Sequence, residues 1–355
     1  MATQNTDSMK AWTVVGSGAP TEVLELREHS LPEPGPGQVR VRVSTTVCNK
    51  NEIDGCRGVY MTVNPQIPYI LGMEGVGIVD ATGPGQEDWL GKRVIATASG
   101  AFGAHAEWFV ADVAMVFEAP TSLDDIAAAA FFFPFHLAHL ALFNRGRLRK
   151  GETLLVHAGA GGVGSAAIQL GIAAGARVFA TAGGAEKGKF CRQLGAEVAI
   201  DYRAGEFADI VLDATEGRGV DVVCDLVGGA VTNESFRCIA EDGRVVLTGF
   251  SGGIEAEDKT GLLPRPIVFG NFSVCGVMLA YGESPRIPGG PKINLLSRAT
   301  GEAVQAHLIE WLDEGRIKPV VGRDTGYRDF PQELERMERR ETTGRTVLRW
   351  GESES

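Results

Sequence analysis

The chain has 355 residues, 44% of them hydrophobic and 22% charged, a balance that fits a globular protein and excludes a disordered or fibrous one. That length exceeds one typical core and implies two domains. A formal net charge of −11 argues against nucleic acid or an anionic membrane as the main partner.

Met1-Ala2-Thr3-Gln4-Asn5-Thr6-Asp7 carries neither the basic start nor the apolar core of a signal peptide. No apolar run approaches the roughly 20 residues of a membrane span; Ala127–Phe133 is far shorter. Cys48, Cys56, Cys191, Cys224, Cys238 and Cys275 have no paired spacing, which fits reduced thiols and a cytoplasmic location.

Pro32-Glu33-Pro34-Gly35-Pro36-Gly37 is a hard turn before Val39-Arg40-Val41-Arg42-Val43, whose strict alternation predicts a half-buried strand. Val76–Val79, Arg93–Ala96 and Ala106–Val110 predict further short strands broken by glycine. Residues 1–130 therefore read as a mostly β domain.

Leu154-Leu155-Val156 predicts a buried strand that runs into Gly159-x-Gly161-x-x-Gly164. Behind it, Val163, Ala167, Leu170 and Ala174 are spaced four, three and four, the stripe of a helix facing a sheet. This layout suits a dinucleotide. The first glycine allows the tight turn, the second admits the pyrophosphate, and the third lets helix and strand pack. Gly162 and Val163 open the helix, whose N–H groups and positive end face the phosphates. Arg177–Ala182, Val198-Ala199-Ile200, Val220–Asp225 and Arg244–Gly249 predict four more strands, with helical segments between. Alternation of this kind over residues 131–280 predicts an α/β fold with a doubly wound parallel sheet. Its ligand crevice lies at the carboxyl ends of the strands, so Gly228-Gly229 and Thr248-Gly249-Phe250 should line it.

NAD-binding versions place an acid at the end of the second strand for the ribose hydroxyls. Here that end is Thr181-Ala182-Gly183-Gly184, and the first carboxylate, Glu186, is already in the next helix beside Lys187. A neutral loop backed by Lys187, with Tyr202-Arg203 after the third strand, suits the 2′-phosphate of NADPH. The alternative is that Lys187 and Arg203 are ordinary solvated charges. Beyond residue 280 the pattern changes. A helix over Gly301–Glu314 and a strand over Arg345–Trp350 are expected to return to the first domain, so that residues 281–355 complete it. The expected active site is the cleft between the domains.

With these pieces in place, the chain resembles the medium-chain dehydrogenase/reductase superfamily over nearly its whole length, in its zinc-free, quinone oxidoreductase-like branch. The resemblance rests on Pro32–Val39, Gly72-Met73-Glu74-Gly75-Val76-Gly77-Ile78-Val79, Lys150-Gly151-Glu152-Thr153, His157–Gly164, Leu194-Gly195-Ala196 and Arg340–Arg345. Asn49–Tyr60 is also similar to the 2-enoyl thioester reductases of the superfamily, in which an asparagine begins the stretch and Gly-x-Tyr closes it. The resemblance implies a GroES-like catalytic domain, a Rossmann domain, and NADPH-dependent reduction of quinones or electron-poor alkenes such as enals and enones. It also implies a homodimer paired along the last nucleotide-domain strand, Phe272–Val277. Enoyl-thioester reduction and a non-catalytic, crystallin-like NADPH-binding role are the alternatives.

Zinc-dependent members need a cysteine near Cys48, a His-Glu pair and a further ligand. Met73 stands at the histidine of the pair, and a thioether is a poor Zn²⁺ ligand. No metal is expected; Cys48 and Cys56 read as packing residues and Glu74 as a buried structural acid. Without metal, a protonated phenol can hydrogen-bond a carbonyl or protonate the adjacent carbon. Tyr60 matches the family's tyrosine and is the first catalytic candidate, a cleft-shaping aromatic being its alternative. Asn49 either holds the nicotinamide or substrate carbonyl or forms a turn, and Arg57 is a weaker candidate for an anionic substrate tail. Leu137 takes the place where relatives often carry a threonine; His136 and His139, nearby on an apolar helix, read as core residues.

Overall fold

The computed structural model describes residues 8–59, 65–253, 261–284 and 293–351. The chain divides into two compact units, Met1–Phe132 with Val321–Ser355, and Phe133–Val320.

The first unit is built on two sheets. Ser8–Val14 pairs antiparallel with Leu24–Ser30 on one side and Tyr69–Ile70 on the other. The larger sheet runs Val321–Gly326, Arg345–Arg349, Gln38–Val47, Glu74–Thr82, Arg93–Thr97, Val116–Glu118, with Trp108–Asp112 also paired to Gln38–Val47. Alternation explains the central strand: Val39, Val41 and Val43 are buried while Arg42 is exposed and Arg40 reaches Asp80 on the neighbouring strand at 2.9 Å. The C-terminal strand closes the sheet as expected, pairing antiparallel through Val347 and Val47.

The second unit holds a six-stranded, all-parallel sheet. In chain order its strands are Thr153–Val156, Arg177–Ala182, Val198–Asp201, Val220–Asp225, Ile239–Leu247 and Ser273–Gly276. They lie in the spatial order third, second, first, fourth, fifth, sixth. The order reverses between the first and fourth strands, which puts the topological switch point there. The central strands are continuous apolar runs, as parallel strands covered on both faces are: Leu154, Leu155 and Val156 are fully buried, as are Val222, Val223 and Cys224.

Two expectations are corrected. The helix placed in the first domain forms at Arg298–Asp313, capped by Ser297, but belongs to the second unit. The reason is polar anchoring within that unit: Gln305 accepts from His136 at 2.8 Å, and Gln169 holds both backbone groups of Lys318 at 3.0 and 3.1 Å. The chain returns to the first unit at residue 321, not 281. The stretch Asp125–Arg145 is apolar and helical over 21 residues, longer than the sequence reading allowed. With 78% of its most apolar window buried within the protein, it is core.

Candidate active site

The glycine-rich turn does its work through sterics. A Cβ on Gly159 would lie 2.9 Å from Ala180 Cβ and 3.1 Å from Cys191 Sγ, so this glycine lets the second strand and the following helix close in. A Cβ on Gly164 would sit 2.2 Å from the Ala158 carbonyl oxygen, which makes the third glycine obligatory for the turn itself. The two roles are thus exchanged relative to the sequence reading. Gly161 is exposed and meets only Ala158 O, at 3.4 Å, leaving its face open to a pyrophosphate. It caps the 12-residue helix Gly162–Ala173, and Val163 lies in that helix's first turn.

At the carboxyl end of the fourth strand, Asp225 is fully buried and organises two more turns. Its Oδ1 accepts from the N–H of Val227 (2.8 Å) and Gly228 (3.1 Å), and its carbonyl accepts from the N–H of Thr248 (2.7 Å) and Gly249 (3.2 Å). Gly228 takes φ +81°, and Phe250 is half-buried beyond the fifth strand. Gly228, Thr248, Gly249 and Phe250 are therefore gathered in one unit with the glycine-rich turn.

The end of the second strand shows what the sequence left open. Tyr202 and Arg203 converge on Gly183: a Cβ there would meet Tyr202 Oη at 2.8 Å and Arg203 Nε and Nη2 at 3.0 and 3.1 Å. Lys187 is half-buried in the helix Ala185–Gln193 that starts just after this turn. Asp201, at the end of the third strand, escaped the sequence reading because that reading looked for an acid on the second. Its Oδ1 accepts from Gly184 N and Arg203 N, each at 3.0 Å, and these two bonds hold the carboxyl below its ordinary pKa. The acid shapes the turn with its lone pairs.

In the first unit, Asn49 is the N-cap of the helix Lys50–Arg57, and its N–H donates to Glu52 Oε2 at 2.8 Å. Its side chain is equally committed: Oδ1 accepts from Arg345 Nη1 at 3.0 Å and Nδ2 donates to Val47 O at 3.2 Å. Only 5% exposed, Asn49 takes the turn-forming alternative, and its amide is occupied by the protein. Asn51, two residues on, is the amide the sequence reading missed. It is half-buried, and among the described residues its side chain touches nothing stronger than the Met73 sulfur at 3.7 Å. Its place one helical residue past the capped start was the available signal. Arg57 is held by a bidentate pair with Glu338, 2.8 and 2.9 Å, and is not placed for a substrate tail. Tyr60 lies outside the described residues.

The residues at the zinc-ligand positions do other work. Glu74 is buried and accepts from Arg345 at 2.5 Å. Burial, reinforced by the Glu52 charge, pushes the Cys48 thiol well above its ordinary pKa. His136 is satisfied in the core between Tyr281 Oη (2.9 Å) and Gln305 Oε1 (2.8 Å), and His139 Nε2 meets His307 Nδ1 at 2.9 Å. Leu137 is buried.

Residues 35–121 match the alcohol dehydrogenase GroES-like domain, and residues 162–288 match the zinc-binding dehydrogenase model. A synaptic vesicle membrane protein VAT-1 homolog of Rattus norvegicus is 30% identical over 96% of this chain and 84% of its own length. A quinone oxidoreductase of Pseudomonas aeruginosa is 32% identical over 92% of this chain and 95% of its own length. A mycobacterial protein solved in complex with NADPH superposes with a TM-score of 0.83 at 27% identity, covering 96% of this chain and 100% of that one. By these similarities and by its architecture, the chain belongs to the medium-chain dehydrogenase/reductase superfamily, in its quinone oxidoreductase-like branch.

Proposed function

We propose that the protein is an NADPH-dependent oxidoreductase that reduces quinones or α,β-unsaturated carbonyl compounds by hydride transfer without a metal. The observation that carries the cofactor choice is the Gly183 turn, where a phenol and a guanidinium converge while Oδ1 of Asp201 accepts from two backbone N–H groups. A ribose-binding site for NAD would present a free carboxylate there; this one presents donors that fit a phosphate. The NADPH complex of the mycobacterial relative and the activity named for the Pseudomonas relative support the same reading.

Bound NADPH supplies the hydride. The chain's own part is to seat the pyrophosphate against Gly161 and the helix N-terminus, and to grip the 2′-phosphate with Tyr202, Arg203 and Lys187. Tyr60 and the Asn51 amide are the donors for the substrate oxygen, where charge develops as hydride arrives; such positioning supplies most of the acceleration.

The donor set argues against zinc. Glu74 is already paired with Arg345, and Met73 offers a thioether where a zinc site needs an imidazole.

The test is NADPH oxidation against ortho-quinones, small enals and crotonyl-CoA. Turnover of a quinone or enal supports the reading. Turnover of crotonyl-CoA alone makes the protein an enoyl-thioester reductase, and tight NADPH binding with no turnover makes it a non-catalytic binder. Metal analysis should find well under one zinc per chain, with activity surviving a chelator; stoichiometric zinc would overturn the metal-free part.

A further inference from the structure

His157 follows the first strand of the parallel sheet and is 0% exposed, so it cannot touch a bound dinucleotide. Its two ring nitrogens are nonetheless both engaged, Nδ1 with Thr181 Oγ1 at 3.0 Å and Nε2 with Ser235 Oγ at 2.8 Å. The proton can be placed. Ser235 Oγ donates to Val231 O at 2.8 Å, so it accepts from the imidazole, and the proton sits on Nε2. Nδ1 then accepts from the Thr181 hydroxyl. Burial keeps the ring below its ordinary pKa, against the opposing charge of Asp225, and a neutral ring is what this bonding requires.

Each partner leads to a different cofactor turn. Thr181 also accepts from Gly159 N, at 2.9 Å, through its carbonyl, and it stands two residues before Gly183, where Tyr202 and Arg203 converge. Ser235 ends the short helix Ala230–Ser235, which follows Gly228-Gly229 directly. His157 itself precedes the glycine-rich turn, and Ala158 takes φ +51° there. One imidazole thus ties the pyrophosphate turn, the 2′-phosphate turn and the turn after the fourth strand.

We infer that His157 is a positioning residue for the dinucleotide, holding the three turns at the spacing an intact NADPH spans. The inference rests on the NADPH reading above and adds a residue that the reading does not use. A ligand that bridges all three turns should feel the loss of this tie, because ordering them then falls on the binding step. A ligand occupying one turn should not.

The experiment measures dissociation constants for NADPH and for adenosine 2′-monophosphate, together with kcat on any substrate turned over. His157→Leu removes both bonds and should weaken NADPH about ten-fold while changing the 2′-monophosphate less than about three-fold, with kcat at saturation nearly unchanged. His157→Asn keeps a polar group at the Nδ1 position toward Thr181 and should bind NADPH better than His157→Gln, which reaches only toward Ser235. That comparison holds even if the leucine variant fails to fold. Equal losses for both ligands, a parallel fall in kcat, or indistinguishable Asn and Gln variants would each overturn the inference. A native protein that binds no NADPH sinks the functional reading, and the inference with it; native binding unchanged in every variant sinks the inference alone.

Discussion

Arg345 and Glu74, 271 residues apart in the chain, form a buried ion pair at 2.5 Å, with the guanidinium 8% and the carboxylate 1% exposed. The same guanidinium reaches Asn49 Oδ1, so it joins the C-terminal strand to the helix cap and to the strand that begins at Glu74. Removing one partner strands a charge in low dielectric, which typically costs about 3–5 kcal/mol. Arg345→Met should lose stability in that range by chemical denaturation. Arg345→Met with Glu74→Met should recover much of it, because the double variant buries no charge. A double variant no better than the single would mean that the arginine acts through packing.

Cofactor preference should reside in the cations at the Gly183 turn. A charge-assisted hydrogen bond contributes about 1.5–3 kcal/mol, less where solvent screens it. Lys187→Ala and Arg203→Ala should each weaken NADPH by roughly ten-fold and leave NADH nearly unchanged in a titration. Equal losses for both cofactors would contradict the assignment.

Acid should unfold the second unit through its buried histidines. Burial lowers His136 to about 3 and His139 to about 4, in the latter with help from the His307 charge. The folded pKa values lie below the ordinary 6.5, so the unfolded chain takes up these protons first. The contribution is therefore fully present above about pH 6.5 and drains away as pH falls toward 3–4, by about 1.4 kcal/mol per pH unit for each histidine. Denaturation midpoints followed from pH 7.5 to 5 should show this slope, and His136→Asn should flatten it. A slope unchanged in that variant would assign acid sensitivity elsewhere.

Tyr60→Phe should lower kcat for an enal by about 10²–10⁴-fold with NADPH binding retained. The loss for a quinone should be smaller, because resonance stabilises its reduced oxyanion. Asn51→Ala should lower kcat where Asn49→Ala chiefly lowers stability. Full turnover by Tyr60→Phe on every substrate would leave Tyr60 a cleft-lining aromatic.

The outermost strand of the parallel sheet, Ser273–Gly276, pairs with Ile239–Leu247 on one side, and Val268, Phe269 and Met278 beside it in sequence are exposed. Antiparallel pairing of this edge with a second copy across a two-fold axis would protect both edges. Light scattering at micromolar concentration should return twice the mass of one chain, and Val274→Pro should shift it toward one. A native protein of monomer mass would contradict the pairing.

What the sequence could determine is what short windows encode. The alternation Val39-Arg40-Val41-Arg42-Val43, the run Leu154–Val156 into three spaced glycines, and the return of strands between helices each depend on neighbours a few residues apart. They were sufficient for the central strands of the larger sheet of the first unit and for most of the parallel sheet, while the small sheet of Ser8–Val14, Leu24–Ser30 and Tyr69–Ile70 went unread. Tertiary structure decided the partners of polar side chains, because a hydrogen bond across hundreds of residues leaves no local period. Arg345 makes Asn49 a structural cap and leaves Asn51 the amide with capacity in reserve. Gly184 and Arg203 take up the Asp201 carboxylate, and Gln305 draws the helix Arg298–Asp313 into the second unit through His136. In each case the residue type is plain in the sequence, and its role follows from which partner the folded chain brings to it.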